Sequence, residues 1–462
     1  MAVLAGVVTA ILALALALTY WGPGSPPTVT ASPPAKPGQA PHGNFAWSLS
    51  NAETSTFVGL WSTSSSVVLG SKSGLTAYDA ATGDRIWSWQ PPGGGLLCNM
   101  SHSTSRGLGA FTYGMWADTP GSERCDHLQT VSAATGTLGW TRAVSLVADG
   151  STGFPDRIGG TSLSISGDVV TAPFAGSRTH GQHATDLLSA DVRTGRVKWT
   201  TDFGPGPLQS GCRLTGQAQA LVATVYALAE CGDQARLLSF GDGSPTRPVG
   251  MLALPGCTSV RPHTTVRRKL SGFMTVRGSR LLVGCYLSDQ GGGLLSLLSA
   301  GTDRPVPLDT TGAATTAVAF GSGVTYEPAD LVLSADTLYL AKANGRYTGR
   351  TDGVIAVDLA TGRQRWSTTL PSSSSVTLAA PTDSGVQVLA GARSPTSLSL
   401  HTVTGAHQVT PPSWKATSFG VDPDLNPPRA VRAGDHLAIA FPGSYRPGQT
   451  TLGVLPLEAS HG

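Results

Sequence analysis

The stretch Leu75-Thr76-Ala77-Tyr78-Asp79-Ala80-Ala81-Thr82-Gly83-Asp84-Arg85-Ile86-Trp87 returns as Val354-Ile355-Ala356-Val357-Asp358-Leu359-Ala360-Thr361-Gly362-Arg363-Gln364-Arg365-Trp366, with Asp, Thr-Gly and Trp at identical offsets. A third copy carries Asp191, Thr194, Gly195 and Trp199, and a fourth keeps Thr135, Gly136 and Trp140 with Ser132 in place of the Asp. Weaker versions stand at Asp242-Gly243, Ala300-Gly301 and Thr404-Gly405. The turn glycines at 83, 136, 195, 243, 301, 362 and 405 are about 50 residues apart, the mark of a repeat architecture. One further unit fits near the end of the chain, where Thr451-Leu452-Gly453-Val454-Leu455-Pro456-Leu457 supplies the matching strand without its Thr-Gly turn. The repeats therefore number eight.

The chemistry of the unit predicts its local structure. Short apolar runs such as Ser66–Leu69, Gly167–Thr171, Arg280–Val283 and Asp336–Leu340 read as strands, each set one loop ahead of the Asp-x-x-Thr-Gly position. The Thr-Gly step predicts a tight hairpin: glycine accepts a positive φ, while Asp79, Asp191 and Asp358, or Thr82, cap turn amides. The tryptophan is expected to end the strand that follows. Three or four such strands per repeat, set around an axis, make an all-β propeller blade. Composition agrees, because charged residues are only 13% of the 462, and 58 glycines and 32 prolines favour short strands and turns over a charged helical bundle. With 40% apolar residues there is ample material for a core, and a net charge of +3 singles out no class of partner.

These residues resemble the repeat of the PQQ-like, quinoprotein alcohol dehydrogenase-like propellers, in which Ala-x-Asp-x-x-Thr-Gly-x-x-x-Trp docks neighbouring blades. The resemblance implies an eight-bladed β-propeller of four-stranded blades in which each Trp packs between blades against the adjacent turn. It spans residues 45–459 and is strongest at Trp87, Trp140, Trp199 and Trp366. That superfamily includes cofactor enzymes, outer-membrane assembly lipoproteins and extracellular domains attached to kinases, so the fold by itself assigns no activity. In its quinoprotein enzymes the cofactor lies under a ring closed by adjacent disulfide-bonded cysteines, beside a Ca²⁺ held by acidic and amide side chains, with an Asp as base. This sequence contains no Cys-Cys pair. The expectation is a binding or scaffold module with no catalytic residue, no metal and no cofactor. The alternative is a PQQ-dependent oxidoreductase with PQQ and Ca²⁺.

The first residues suggest an address. From Ala2 to Leu18 no residue is charged, and Tyr20 and Trp21 follow where an interfacial aromatic pair would sit. A hydrocarbon core of ~30 Å needs about 20 apolar residues, so residues 1–21 read as a single-pass transmembrane helix. A removed signal segment is the competing reading, because Ala15-Leu16-Ala17 fits a small-residue cleavage site and would leave the protein secreted. Residues 22–44 are rich in Pro, Gly and Ser with one charge, Lys36, and read as a linker without a core. The propeller is expected outside the cytoplasm in either case. Asn44-Phe45-Ala46-Trp47-Ser48-Leu49 is an orphan strand bearing the Trp of a repeat's fourth strand, and is expected to complete the last blade.

Few residues suggest chemistry. There is no Gly-x-Ser-x-Gly, His-Glu-x-x-His or P-loop, and Gly107-Leu108-Gly109 reads as a turn. His180 and His183 lack a nearby third ligand, and Arg267-Arg268-Lys269 reads as an exposed turn without the aromatic interleaving of a nucleic-acid surface. The repeated Asp and Trp residues read as turn caps and packing. A propeller's loops between second and third strands share one face with its blade-to-blade connections, and here 114–127, 174–186, 342–353 and 442–450 are long. Arg178, His180, Arg346, Tyr347 and Arg350 are the binding candidates on that face, for a protein or a cell-envelope ligand.

Six cysteines beyond an export segment predict disulfides. Cys98, Cys212 and Cys257 read as starting first strands; Cys231 and Cys285 follow second strands, and Cys125 lies in the loop after one. Because the start of one antiparallel strand lies beside the end of the next, the expected pairs are Cys98–Cys125, Cys212–Cys231 and Cys257–Cys285, each within one blade on the long-loop face. A bridge between blades such as Cys231–Cys257 is the alternative.

Overall fold

The computed structural model describes residues 45–50, 57–115, 124–144, 163–174, 186–201, 212–232, 234–241, 248–258, 271–287, 292–313, 331–343, 351–370, 375–393, 396–406, 408–410, 414–417, 428–441 and 450–457. The 1–21 and 22–44 segments lie outside them, and among the described residues no helix is long and apolar enough to cross a membrane.

The strands form eight antiparallel sheets. Blade 1 is Phe57–Ser62, Ser66–Ser71, Gly74–Asp79 and Arg85–Trp89. Blade 2 is Leu96–Met100, Leu108–Met115, Arg124–Ser132 and Leu138–Ala143, and blade 3 is Ser164–Ser166, Val169–Phe174, Asp186–Asp191 and Val197–Thr200. Blade 4 follows with Cys212–Leu221, Thr224–Cys231, Gln234–Phe240 and Gly250–Thr258. Blade 5 comprises Ser271–Arg277, Arg280–Leu287, Gly292–Ser299 and Val306–Leu308, and blade 6 comprises Leu331–Leu333, Thr337–Ala343, Thr351–Asp358 and Gln364–Thr369. In blade 7, Ser375–Pro381, Val386–Arg393 and Thr396–Gly405 are flanked by a fourth strand in two pieces, Gln408–Val409 and Trp414–Thr417. Pro411-Pro412 stands between those pieces, and proline has no amide to donate to a ladder. Blade 8 takes Arg429–Ala433, His436–Ala440 and Thr450–Pro456 from the end of the chain and Trp47–Ser50 from its beginning.

That last pairing closes the ring as the orphan strand predicts. Trp47 lies opposite Val454 and Leu49 opposite Leu452, and the Ala46 amide donates to the Val454 carbonyl at 2.8 Å. A hydrophobic cluster fills each gap between successive blades; the one between blades 8 and 1 joins Trp47, Leu49, Leu452 and Val454 to Val67, Leu69 and Ala80. A sheet whose two faces are both buried in this way reads as continuous apolar runs, which is why Ser66–Ser71 is buried along its whole length.

The tryptophans lock blade to blade through one repeated contact. Trp47 donates its indole N–H to the Ala80 carbonyl at 3.0 Å, Trp87 to Ala133 at 3.2 Å and Trp140 to Val192 at 2.9 Å. Each acceptor lies in the Asp-x-x-Thr-Gly turn of the following blade. The glycine of that turn lies under the ring: a Cβ on Gly83, Gly136 or Gly195 would stand 2.7, 2.6 or 2.4 Å from Trp47, Trp87 or Trp140. The tryptophans do not end their strands as the repeat pattern predicts: Trp87, Trp140, Trp199 and Trp366 are each third in theirs. The third position brings the indole level with the neighbouring turn, and the end of the strand would carry it past. Degenerate repeats replace the lock. Trp199 packs on Phe240 of blade 4 with ring centroids 5.8 Å apart. In blade 5 Val306 pairs with Leu297 as Trp87 does with Ala77, and the next residue, Pro307, sets its carbonyl oxygen 2.2 Å from where a Gly362 Cβ would be. Trp366 does not reach a turn glycine: Gly405 is flanked by Gln408 instead.

Candidate functional site: the disulfide-bearing loop face

Because strands alternate in direction, each blade presents its first-to-second and third-to-fourth hairpins on one face, and its second-to-third loops with the blade-to-blade connections on the other. The two faces are chemically unlike.

On the hairpin face the described Asp side chains of the repeat cap their own turns. Asp79 Oδ1 accepts from the Ala81 and Thr82 amides, both at 2.9 Å, and Asp191 Oδ1 from Arg193 and Thr194 at 3.0 and 2.8 Å. Asp358 Oδ1 accepts from the Thr361 amide at 2.7 Å and its hydroxyl at 2.8 Å. Gly83, Gly136, Gly195 and Gly362 close these turns with φ of 77°, 72°, 68° and 71°. Partial burial pushes the Asp191 carboxyl up, but the hydrogen bonds from Thr194 and Arg193 outweigh it and leave it below the usual range. Arg365 donates from Nε to Asp358 at 2.9 Å and from Nη1 to Asp336 at 2.9 Å. The Arg365 hydrogen bond is the main cause that holds Asp358 well below the usual carboxylate range; for Asp336 the Thr337 hydroxyl leads and Arg365 adds to it.

The other face carries the disulfides. Cys98–Cys125 joins the first and third strands of blade 2 at a Cα separation of 6.0 Å, and Cys212–Cys231 joins directly opposed residues of blade 4 at 4.0 Å. Two of the three predicted pairs are present. Two placements are corrected. Cys125 lies within Arg124–Ser132, the third strand, because that strand begins earlier than a loop of 114–127 implies. Cys257 lies near the end of Gly250–Thr258, the fourth strand of blade 4, and does not start blade 5, whose first strand is Ser271–Arg277. A bond from Cys257 to the strand Arg280–Leu287, which contains Cys285, would therefore cross between blades 4 and 5 and not lie inside one. Cys257 is disulfide-bonded, and the side chain at 285 lies outside the described residues.

The long second-to-third connections are there, between Met115 and Arg124, Phe174 and Asp186, Ala343 and Thr351, and Ala440 and Thr450. They are narrower than 114–127 and 342–353, since strands extend into both ends. Arg178, His180, His183, Arg346, Tyr347, Arg350 and the run Arg267-Arg268-Lys269 lie outside the described residues. Gly107 does form a turn, with φ 76°, and Gly109 is in the strand after it.

What sequence reading missed is an aromatic row beside Cys98–Cys125. Trp89 stands edge-on to Phe111 and Tyr113 at 4.6 and 5.2 Å, and Tyr113 stacks on His127 at 4.8 Å with planes 16° apart. Tyr113 and His127 are directly opposed on adjacent strands, and His127 Nδ1 lies 2.6 Å from Asp126. Burial pushes the Tyr113 phenol up, with a hydrogen bond to Thr141 opposing. The signal in the sequence was the alternation of Phe111 and Tyr113 with Trp89 two residues beyond the repeat tryptophan. Met115, two residues beyond Tyr113 in the same strand, is half-exposed.

The eight first strands contain no Asp or Glu. Both disulfides described pair distant residues, at separations of 27 and 19, and not neighbours.

No protein-family model matches the chain, and no curated protein sequence matches it. Solved structures similar to it are propellers and propeller-containing proteins at low identity. The Dos1 propeller aligns at 11% identity and TM-score 0.46, covering 89% of this chain and 94% of that one. AztD from Citrobacter koseri aligns at 13% identity and TM-score 0.44 over 83% and 95% of the two chains. Quinohemoprotein alcohol dehydrogenase ADHIIG from Pseudomonas putida HK5 aligns at 10% identity and TM-score 0.44 over 87% and 76%.

Proposed function

We propose that this protein is a membrane-tethered, extracytoplasmic β-propeller of the PQQ-like repeat type that binds a protein or cell-envelope ligand through its loop face without catalysis. The observation that carries the reading is the asymmetry of the two faces. Among the described residues, Asp-capped hairpins recur on one face, while the two described disulfides and the long second-to-third connections lie on the other. Rigid scaffolds place recognition on such variable loops. The disulfides and the apolar 1–21 segment together support a position outside the cytoplasm.

Capture of a partner from envelope extracts by the full chain, abolished by Cys98→Ser with Cys125→Ser but unaffected by Ala360→Ser on the hairpin face, is the expected result. The alternative, a PQQ-dependent dehydrogenase, is tested by incubation with PQQ and Ca²⁺ and an assay of dye reduction with alcohols and sugars. Turnover there would replace the binding reading.

A further inference from the structure

We infer that Ser399 is an activated nucleophile, with His401 as its base, and that it accepts the acyl group of a short carboxylic ester. The inference goes beyond the loop-face reading and does not rest on it: one acylation per chain is a modification and not turnover.

The strand Thr396–Gly405 of blade 7 alternates Ser397, Ser399 and His401 with Leu398 and Leu400. The two leucines enter the cluster between blades 7 and 8, so the serines and the histidine stand on the opposite side, toward blade 6. There Ser399 pairs with Ala390 and His401 with Val388, two members of the cluster between blades 6 and 7, against which Trp366 also packs. Ser399 and His401 are themselves partly exposed, at the rim of that apolar gap.

The break in the fourth strand of this blade sets the histidine. Val403 pairs with Val409 and Leu400 with Trp414, so three residue steps on one strand face five on the other. At the start of the break Thr410 precedes Pro411, which holds it extended. Its amide donates to the Thr402 carbonyl at 2.9 Å, but the return bond of a regular antiparallel pair is replaced: the Thr402 amide donates to the Thr410 hydroxyl at 3.0 Å. The Thr410 carbonyl is thereby released from the ladder and lies 3.0 Å from His401 Nδ1. A carbonyl only accepts, so Nδ1 carries the proton and donates, and the lone pair of the neutral ring is on Nε2. Nε2 lies 2.9 Å from Ser399 Oγ. The other acceptor near that hydroxyl, the Ala390 carbonyl, is 3.2 Å away, beyond the usual range for a hydroxyl donor. The Ser399 proton therefore points at Nε2. A hydroxyl, a base within hydrogen-bond reach of it and a third group that orients the base are the parts of an activated nucleophile.

The step they support is transfer of an acyl group. Ser399 Oγ bonds to the ester carbonyl carbon as its proton passes to His401 Nε2. The bond from that carbon to the leaving oxygen breaks, and the proton on Nε2 goes to the leaving oxygen. The products are an ester on Ser399 and a free alcohol. Nδ1 keeps its proton throughout, and its bond to the Thr410 carbonyl strengthens while the ring is cationic. Val388, Ala390 and Trp366 make the adjoining wall apolar, which suits a small uncharged acyl group.

The test treats the folded full-length chain with p-nitrophenyl acetate and locates the acetyl groups by tandem mass spectrometry. Ser397, two residues away on the same side of the strand and also partly exposed, is the internal reference. A positioned general base accelerates such a step by about 10²–10⁴-fold, so Ser399 is expected to be acetylated about a hundredfold faster than Ser397. His401→Gln is expected to bring Ser399 down to the rate of Ser397, and unfolding in urea to abolish the preference. Equal rates at the two serines of the unaltered chain overturn the inference without recourse to any variant. A preference for Ser399 that survives in His401→Gln or in urea overturns it as well, because the histidine held by Thr410 would then not be its cause.

Discussion

At the scale of single residues, the glycine under each docking tryptophan is the most constrained position in the repeat. Gly136 combines a φ of 72° with an indole where a Cβ would be, whereas Gly232 has a similar φ of 62° and open space around it. Gly232→Ala therefore exposes only the backbone cost, about 1 kcal/mol, while Gly136→Ala adds the overpacking against Trp87 and is expected to cost about 2–4 kcal/mol. Equilibrium denaturation of the two variants checks the difference; equal losses would show that the tryptophan does not press on the turn. The carboxylates of the hairpin face give a second prediction. Asp358, Asp336 and Asp191 all titrate lower in the folded chain than an ordinary carboxylate. The stability they contribute is therefore fully present above the unfolded value near 4 and is lost as pH falls below it toward the folded values. Arg365→Gln removes the leading cause of the shift at Asp358, so its melting temperature should depend less steeply on pH below about 4 than that of the unaltered chain.

Among elements, the strand Trp47–Ser50 and the disulfides decide whether the ring stays shut. Trp47 and Leu49 are buried in the gap to blade 1, and Thr450–Pro456 would be an open sheet edge without them. Deleting residues 44–50 should lower the melting temperature sharply, and Trp47→Ala alone should cost about 3–5 kcal/mol. An unchanged melt of the deletion would show that blade 8 does not need its amino-terminal strand. Cys98–Cys125 and Cys212–Cys231 close loops of 27 and 19 residues. By loop-closure entropy each restricts the unfolded chain by roughly 3–4 kcal/mol, so Cys98→Ser with Cys125→Ser should lower stability on that order in denaturant. The same double variant should leave the Trp140 lock between blades 2 and 3 intact, which tryptophan fluorescence of a chain keeping that indole would report.

The whole molecule is a ring of eight similar interfaces with one splice between its ends. Each gap buries an apolar cluster, so losing one blade exposes the clusters on both its sides and unfolding is expected to spread. The full-length protein is expected to fractionate with membranes and to resist extraction by salt. A mature terminus at residue 18 by mass spectrometry would show that the apolar segment is removed instead.

The sequence alone determined the repeat, the hairpin at each Thr-Gly and the need for an amino-terminal strand, because turn chemistry and strand alternation act over a few residues and recur at a fixed spacing. It also determined two disulfide pairs, since strand direction puts Cys98 and Cys125, and Cys212 and Cys231, at the same ends of neighbouring strands. Only the tertiary structure decided where Cys257 belongs, because the weakened repeat of blade 4 has no tryptophan to mark its fourth strand and its boundary is set by pairing with Gln234–Phe240. The same holds for Val306 and Pro307 replacing a tryptophan at Gly362, and for the row from Trp89 to His127. Those contacts join residues far apart in the chain, and it is the packing of one blade against the next that brings them together.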